Sequence, residues 1–217
     1  MVVTPGLDMT DPEPVNRKDM KVLALGLTDA SQGFPALPYV ADEVQDIHQM
    51  LGGHVLLNKN FELPEVRQML NDHVFSMVHI ASHGHFDSDK SSSFILTFDN
   101  KLTLQQLDQC LGIFRFRSMP LDLLTLSACE TAAGDDRAAL GMAGIAVKAG
   151  ARCALASLWT INDRASAMLV VEFYRQLLNP SASRAQALQS AQVKLLNDPR
   201  YHHPVFWSPF LLINNWL

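Results

Sequence analysis

From residue 20 onward the chain alternates short apolar runs with stretches whose apolar residues recur every three or four positions. Lys21 to Leu27 is such a run and predicts a buried strand. Tyr39, Val40, Val44, Ile47, Met50 and Leu51 have helical spacing and predict a helix over 39–51, ended by Gly52-Gly53. His54 to Leu57 reads as a second strand, and Glu62 to Leu70 as a second helix with Pro64 in its first turn. Phe75 to Ala81 is a third strand and stops at Ser82-His83-Gly84. A polar loop covers 87–93, and Phe94 to Phe98 reads as a strand. Thr103 caps a helix that runs to Leu111. Leu121 to Ala128 is a strand leading into Cys129, and Ala138 to Lys148 is a helix of small residues ended by Gly150. Arg152 to Leu158 is a further strand. Helices follow near 163–178 and 184–197, and a last apolar run spans Phe206 to Ile213.

Strands that are apolar at successive positions are buried on both faces. Strands of that kind alternating with helices predict an α/β domain with a mostly parallel central sheet covered on both sides. Residues 1–19 are rich in proline and aspartate and read as a flexible leader or linker ahead of one domain, residues 20–217.

Composition removes several classes of function. The chain has 217 residues, 48% of them hydrophobic, and a formal net charge of -5. That is enough apolar material for a core and too little positive charge to steer the chain to nucleic acid or an anionic membrane. No apolar run reaches the ~18 residues of a membrane span, and no basic-then-apolar signal opens the chain. A soluble protein of the cytoplasm is the expectation. Three cysteines, Cys110, Cys129 and Cys153, fit neither a disulfide framework nor a Cys-x-x-Cys zinc site.

Chemistry in open α/β sheets gathers at the carboxyl ends of strands. Two ends stand out: Ser82-His83-Gly84, and Ser127-Ala128-Cys129-Glu130-Thr131. An imidazole near a thiol favours the thiolate, the reactive form, so His83 and Cys129 have the residue types of a nucleophilic pair. They lie 46 positions apart, and caspases place their histidine about 50 residues before the cysteine. His79, His83 and His85 do not make a metal site. On a strand of ~3.3 Å per residue, 79 and 83 stand ~13 Å apart. Cys110 and Cys153, inside a helix and a strand, read as small core residues.

The segments His79 to Gly84, Leu124 to Ala132 and Ala154 to Trp159 with Asp163 together resemble the CHAT domain family. That family is a bacterial, separase-related branch of the caspase-like cysteine peptidases of clan CD. Glu172 to Arg175, Ala185 to Ala191 and Trp207 to Phe210 extend the similarity over residues 20–217. The resemblance implies a three-layer α/β/α caspase-like fold and a cysteine endopeptidase, a hydrolase that works without a cofactor or metal. It implies His83 as catalytic base, Cys129 as nucleophile, and the backbone N–H groups of Gly84 and Cys129 as oxyanion hole. Ser127, Trp159 and Asp163 are the substrate-pocket candidates. Expected partners are a protein or peptide substrate and a tetratricopeptide-repeat region or regulator outside this chain. Two other readings stay open: a catalytically silent interaction module, and a thiol acyltransferase or hydrolase acting on small substrates.

Overall fold

A computed structural model describes residues 2–3, 20–86, 93–117, 119–127, 130–131, 150–157 and 162–215. The central sheet is built from β1 (Val2–Val3), β2 (Val22–Gly26), β3 (Gly53–Leu57), β4 (Met77–Ala81), β8 (Leu123–Leu126), β10 (Cys153–Ser157) and β11 (Phe210–Asn214). Their spatial order is β1-β11-β10-β8-β4-β2-β3. The five strands from β10 to β3 run parallel, and β11 lies antiparallel to β10.

Each parallel strand sends alternate residues to opposite layers, as a period of two requires. Leu23, Leu25, Val78, Ile80, Leu124, Leu126, Ala154 and Ala156 enter one core. Helices α2 (Leu63–Asp72) and α3 (Leu104–Leu111) cover it. Val22, Ala24, Met77, Ala81, Leu123, Cys153 and Leu155 enter the other. Helices α1 (Tyr39–Leu51), α4 (Asp163–Leu177) and α5 (Arg184–Leu196) cover that side. The result is the three-layer α/β/α arrangement of a caspase-like fold. The unbroken apolar runs of the sequence are these doubly buried strands.

Local signals act where the sequence carries them. Thr103 and Gln106 form a reciprocal capping box at the start of α3, and Ser183 and Gln186 do the same for α5. Gly53 has φ +103°, and a Cβ there would stand 2.0 Å from the Val22 carbonyl oxygen. Only glycine lets β3 begin this close to β2.

A second sheet escapes the sequence pattern. It comprises β5 (Gly84–Phe86), β6 (Phe94–Leu96), β7 (Lys101–Thr103) and β9 (Glu130–Thr131), in the order β7-β6-β5-β9. Of these, the sequence predicts only β6, and at the far end the apolar run from Phe206 begins in a 3-10 turn (Pro204–Phe206) and a turn over 207–209, with β11 starting at Phe210. Of the leader, Val2–Val3 pairs with β11 in parallel. The expected helix over 138–148 lies outside the described residues. Among the described residues, no helix is long and apolar enough to cross a membrane.

Candidate active site

His83, Gly84 and Ser127 stand where two strands of the central sheet cross into the small one. In the central sheet Ile80 of β4 pairs with Leu126 of β8, and the Ser127 N–H donates to the Ile80 carbonyl at 2.9 Å. Beyond the gap, His85 of β5 pairs in parallel with Glu130 of β9, and Phe86 with Thr131. The two segments therefore leave one sheet side by side and re-pair side by side in the other. His83 lies on the first of these crossings. Cys129 belongs to the second and lies, with Ala128, outside the described residues.

His83 is held from both sides. Before it, the Ser82 hydroxyl donates to the Leu96 carbonyl at 2.5 Å. At His83 itself the carbonyl accepts the Leu96 N–H at 2.8 Å, and Gly84 then pairs with Ile95. The half-buried ring packs against Phe34, with centroids 5.0 Å apart. Its Nε2 lies 2.8 Å from the Pro35 carbonyl oxygen. A carbonyl only accepts, so Nε2 carries the hydrogen and the neutral ring presents Nδ1 as its free lone pair. A backbone atom thus selects the ring tautomer.

The loop supplying that carbonyl is itself pinned. Ser31 and Phe34 exchange backbone hydrogen bonds of 3.2 and 2.8 Å across a turn at Gln32 and Gly33. Ser31 Oγ donates to the Phe98 carbonyl, and Gln32 Nε2 to the carbonyls of Thr97 and Asn100. Phe34 and Pro35 have no signature in the sequence beyond a turn, because one acts as a packing ring and the other through its main chain.

Asp163 opens α4, next to its N-cap Asn162, whose side chain accepts the Ala165 N–H. Asp163 Oδ2 accepts the N–H of Tyr39 at 3.0 Å, joining the starts of α4 and α1. Burial pushes its carboxyl above the ordinary value; the Tyr39 N–H opposes this, the charge of Glu43 adds to it, and His83 opposes it. Ser127 is buried, and its hydroxyl lies 3.1 Å from that of Ser166 on α4. Trp159 lies outside the described residues.

The other histidines of this stretch have neighbours of their own. His79 is fully buried against Glu43, with 3.2 Å between Nε2 and Oε1. His85 packs its ring on Phe94. Cys110 and Cys153 are buried free thiols. Burial raises both, that of Cys153 to about 12, so they rest protonated in the core.

Fold, strand crossing and histidine together define the caspase-like α/β class. The chain belongs to the CHAT domain family, whose model matches residues 4–215. Among curated proteins it is similar to tetratricopeptide repeat protein 28 of Mus musculus, 36% identical over 104 residues, 45% of this chain and 4% of the relative. The Homo sapiens protein of the same name is 39% identical over 67 residues, 31% of this chain and 3% of the relative. The matches thus span a very small share of those relatives' length.

Proposed function

We propose that the chain is a cysteine endopeptidase that cleaves protein substrates through Cys129 and His83. The observation that carries this reading is the double register. Residues 80 and 126 pair before the crossing, and residues 85 and 130 pair after it. Such flanks suit a histidine and a cysteine meeting from adjacent segments. The Pro35 carbonyl supports the assignment of His83 as base, because it leaves Nδ1 to take the thiol proton.

In the proposed reaction His83 accepts the Cys129 proton and the sulfur attacks the scissile carbonyl. The backbone N–H groups of Gly84 and Cys129 stabilise the oxyanion. The imidazolium then protonates the leaving amine. Water, deprotonated by His83, hydrolyses the thioester and regenerates the thiol. Asp163 is the acidic candidate for a basic P1 side chain, and Trp159 and Ser127 are the other candidates for that pocket. A tetratricopeptide-repeat region is the candidate partner, drawn from the name of the curated relatives. The free thiol required by this chemistry suits a reducing compartment.

A positional-scanning peptide library, with Cys129→Ala as control, tests the reading. The parent should cleave with a defined P1 preference and the variant should fall to background while its thermal midpoint is kept. Cleavage by Cys129→Ala at the parental rate sinks the proposal.

The second reading is a silent interaction module. It is favoured by the relatives, which are named for a repeat and not for an activity. Alkylation at mildly acidic pH separates the two: a peptidase should label first at Cys129, whereas a module should label there no faster than in peptides of the same sequence.

A further inference from the structure

The apolar face under α1 and α4 is interrupted in one row. Strand register aligns Ala24, His79, Thr125 and Leu155 across β2, β4, β8 and β10. The middle two are polar and fully buried. The helices above answer with polar groups of their own. Glu43 of α1, 2% exposed, sets Oε1 3.2 Å from His79 Nε2. Tyr174 of α4 donates its hydroxyl to Thr125 Oγ1 at 2.8 Å and turns its ring edge-on to His79 at 5.7 Å.

This cluster is a poor choice for stability alone. Taking a carboxylate and an imidazole out of water is costly, and apolar residues of similar volume often serve a core as well or better. Nor is the pair well satisfied. The contact is close enough for ionic attraction, yet Glu43 Oε1 and both ring nitrogens of His79 lack an aligned hydrogen-bond partner among the described residues. Buried groups left in this condition call for a reason other than packing.

Their placement supplies one. Glu43 stands one helical turn from Tyr39, whose N–H binds Asp163. The same helix follows directly on the loop whose Pro35 carbonyl meets His83. His79 precedes His83 by four residues, on the strand that leads to it. Each of the two elements thus carries one member of the buried pair and leads into one part of the site. A buried close contact where they cross sets how the start of α1 stands against the end of β4. The groups facing Glu43 are His79 from β4, with Tyr174 and Asp163 from α4. The charge of Glu43 reaches both α4 groups, since it helps raise each of them.

We propose that Glu43 and His79 are positioning residues: their buried contact locks α1 against β4 and so keeps the Pro35 carbonyl on His83 Nε2, leaving Nδ1 free. The inference rests on the reading of His83 as the base, but it is testable without any substrate.

A single apolar replacement strands the partner's charge, so the decisive variant of the full chain is Glu43→Leu combined with His79→Leu. Nitrogen-15 NMR reports the tautomer and titration midpoint of His83, and thermal unfolding reports stability. The double variant should melt at or above the parental temperature. His83 should nevertheless lose its single Nε2–H tautomer, and its protonation equilibrium should change at least threefold, about 0.5 pH unit. A folded double variant with the parental tautomer and midpoint overturns the proposal. If the double variant does not fold, Glu43→Gln decides: a displaced His83 tautomer supports the lock and an unchanged one overturns it. A parent that cleaves no peptide counts against the catalytic reading alone, because the His83 spectrum is read independently.

Discussion

Asp163 is held at the start of α4 against its own preference for water. It gains the Tyr39 N–H at 3.0 Å, yet burial leaves its carboxyl raised. A raised acid contributes its stability fully below the unfolded value and loses it as pH climbs through the folded one. Asp163→Asn keeps an acceptor for Tyr39 and removes the charge. The variant should therefore melt above the parent at pH 7, and the difference should close at pH 3. Thermal unfolding at the two pH values checks it, and a variant equal to the parent at both refutes the account. Proposed as the pocket acid, the same change should weaken binding of a basic P1 peptide, the usual conflict between stability and a binding site. Residue types at strand ends nominate His83 and Cys129 in the sequence. The Pro35 carbonyl is not legible there, since a backbone oxygen acting 48 residues away leaves no mark on composition or spacing.

At the scale of elements, α4 and α5 are joined through Glu172. Its carboxylate meets Arg175 and Gln176 on its own helix, and Lys194 of α5 at 2.7 Å. Burial pushes this group up, but the hydrogen bonds from Lys194 and Gln176 and the charges of Lys194 and Arg175 outweigh it and hold it below the ordinary value. A lowered acid stabilises the fold above its unfolded value and stops doing so as pH falls through the folded one. Glu172→Gln should thus destabilise at pH 7 by about 1 kcal/mol, the upper range of an ion pair to exposed cations, and by less as pH falls through the folded value. Denaturant unfolding at pH 7 and pH 3 measures this; a loss of equal size at each would show that packing, not charge, holds the helices. The helices and the long parallel strands were readable because each has enough residues to show a period. The small sheet was not: β5 and β7 have three residues and β9 two. β5 and β9 meet because β4 and β8 deliver them to one another, which is a tertiary effect, and β7 folds back on β6 as a hairpin.

At the scale of the molecule, the main sheet has two edges and treats them differently. On one side β3 ends the parallel array with Gly53 pressed on β2. On the other, β11 would present five residues of unpaired backbone but for Val2 and Val3, which pair with Leu212 and Ile213. An open edge of apolar sequence such as Phe210 to Ile213 is a template for unwanted pairing, and proteins commonly cover it. The first residues therefore act as a cap in this structure, although their sequence reads as part of a leader. Removing residues 1–19 should leave the parallel core intact while exposing that edge. Hydrogen exchange should then accelerate at the β11 amides of Leu212 and Asn214, which face that edge, with strands β2, β4 and β8 unchanged. Sedimentation should show association that grows with concentration. Parental exchange at β11 in the shortened chain would mean that the two-residue pairing does not protect the edge. The distinction matters for any protein in which this domain is joined to further chain at its N-terminus, because the same few residues would then have to serve both as edge strand and as connection.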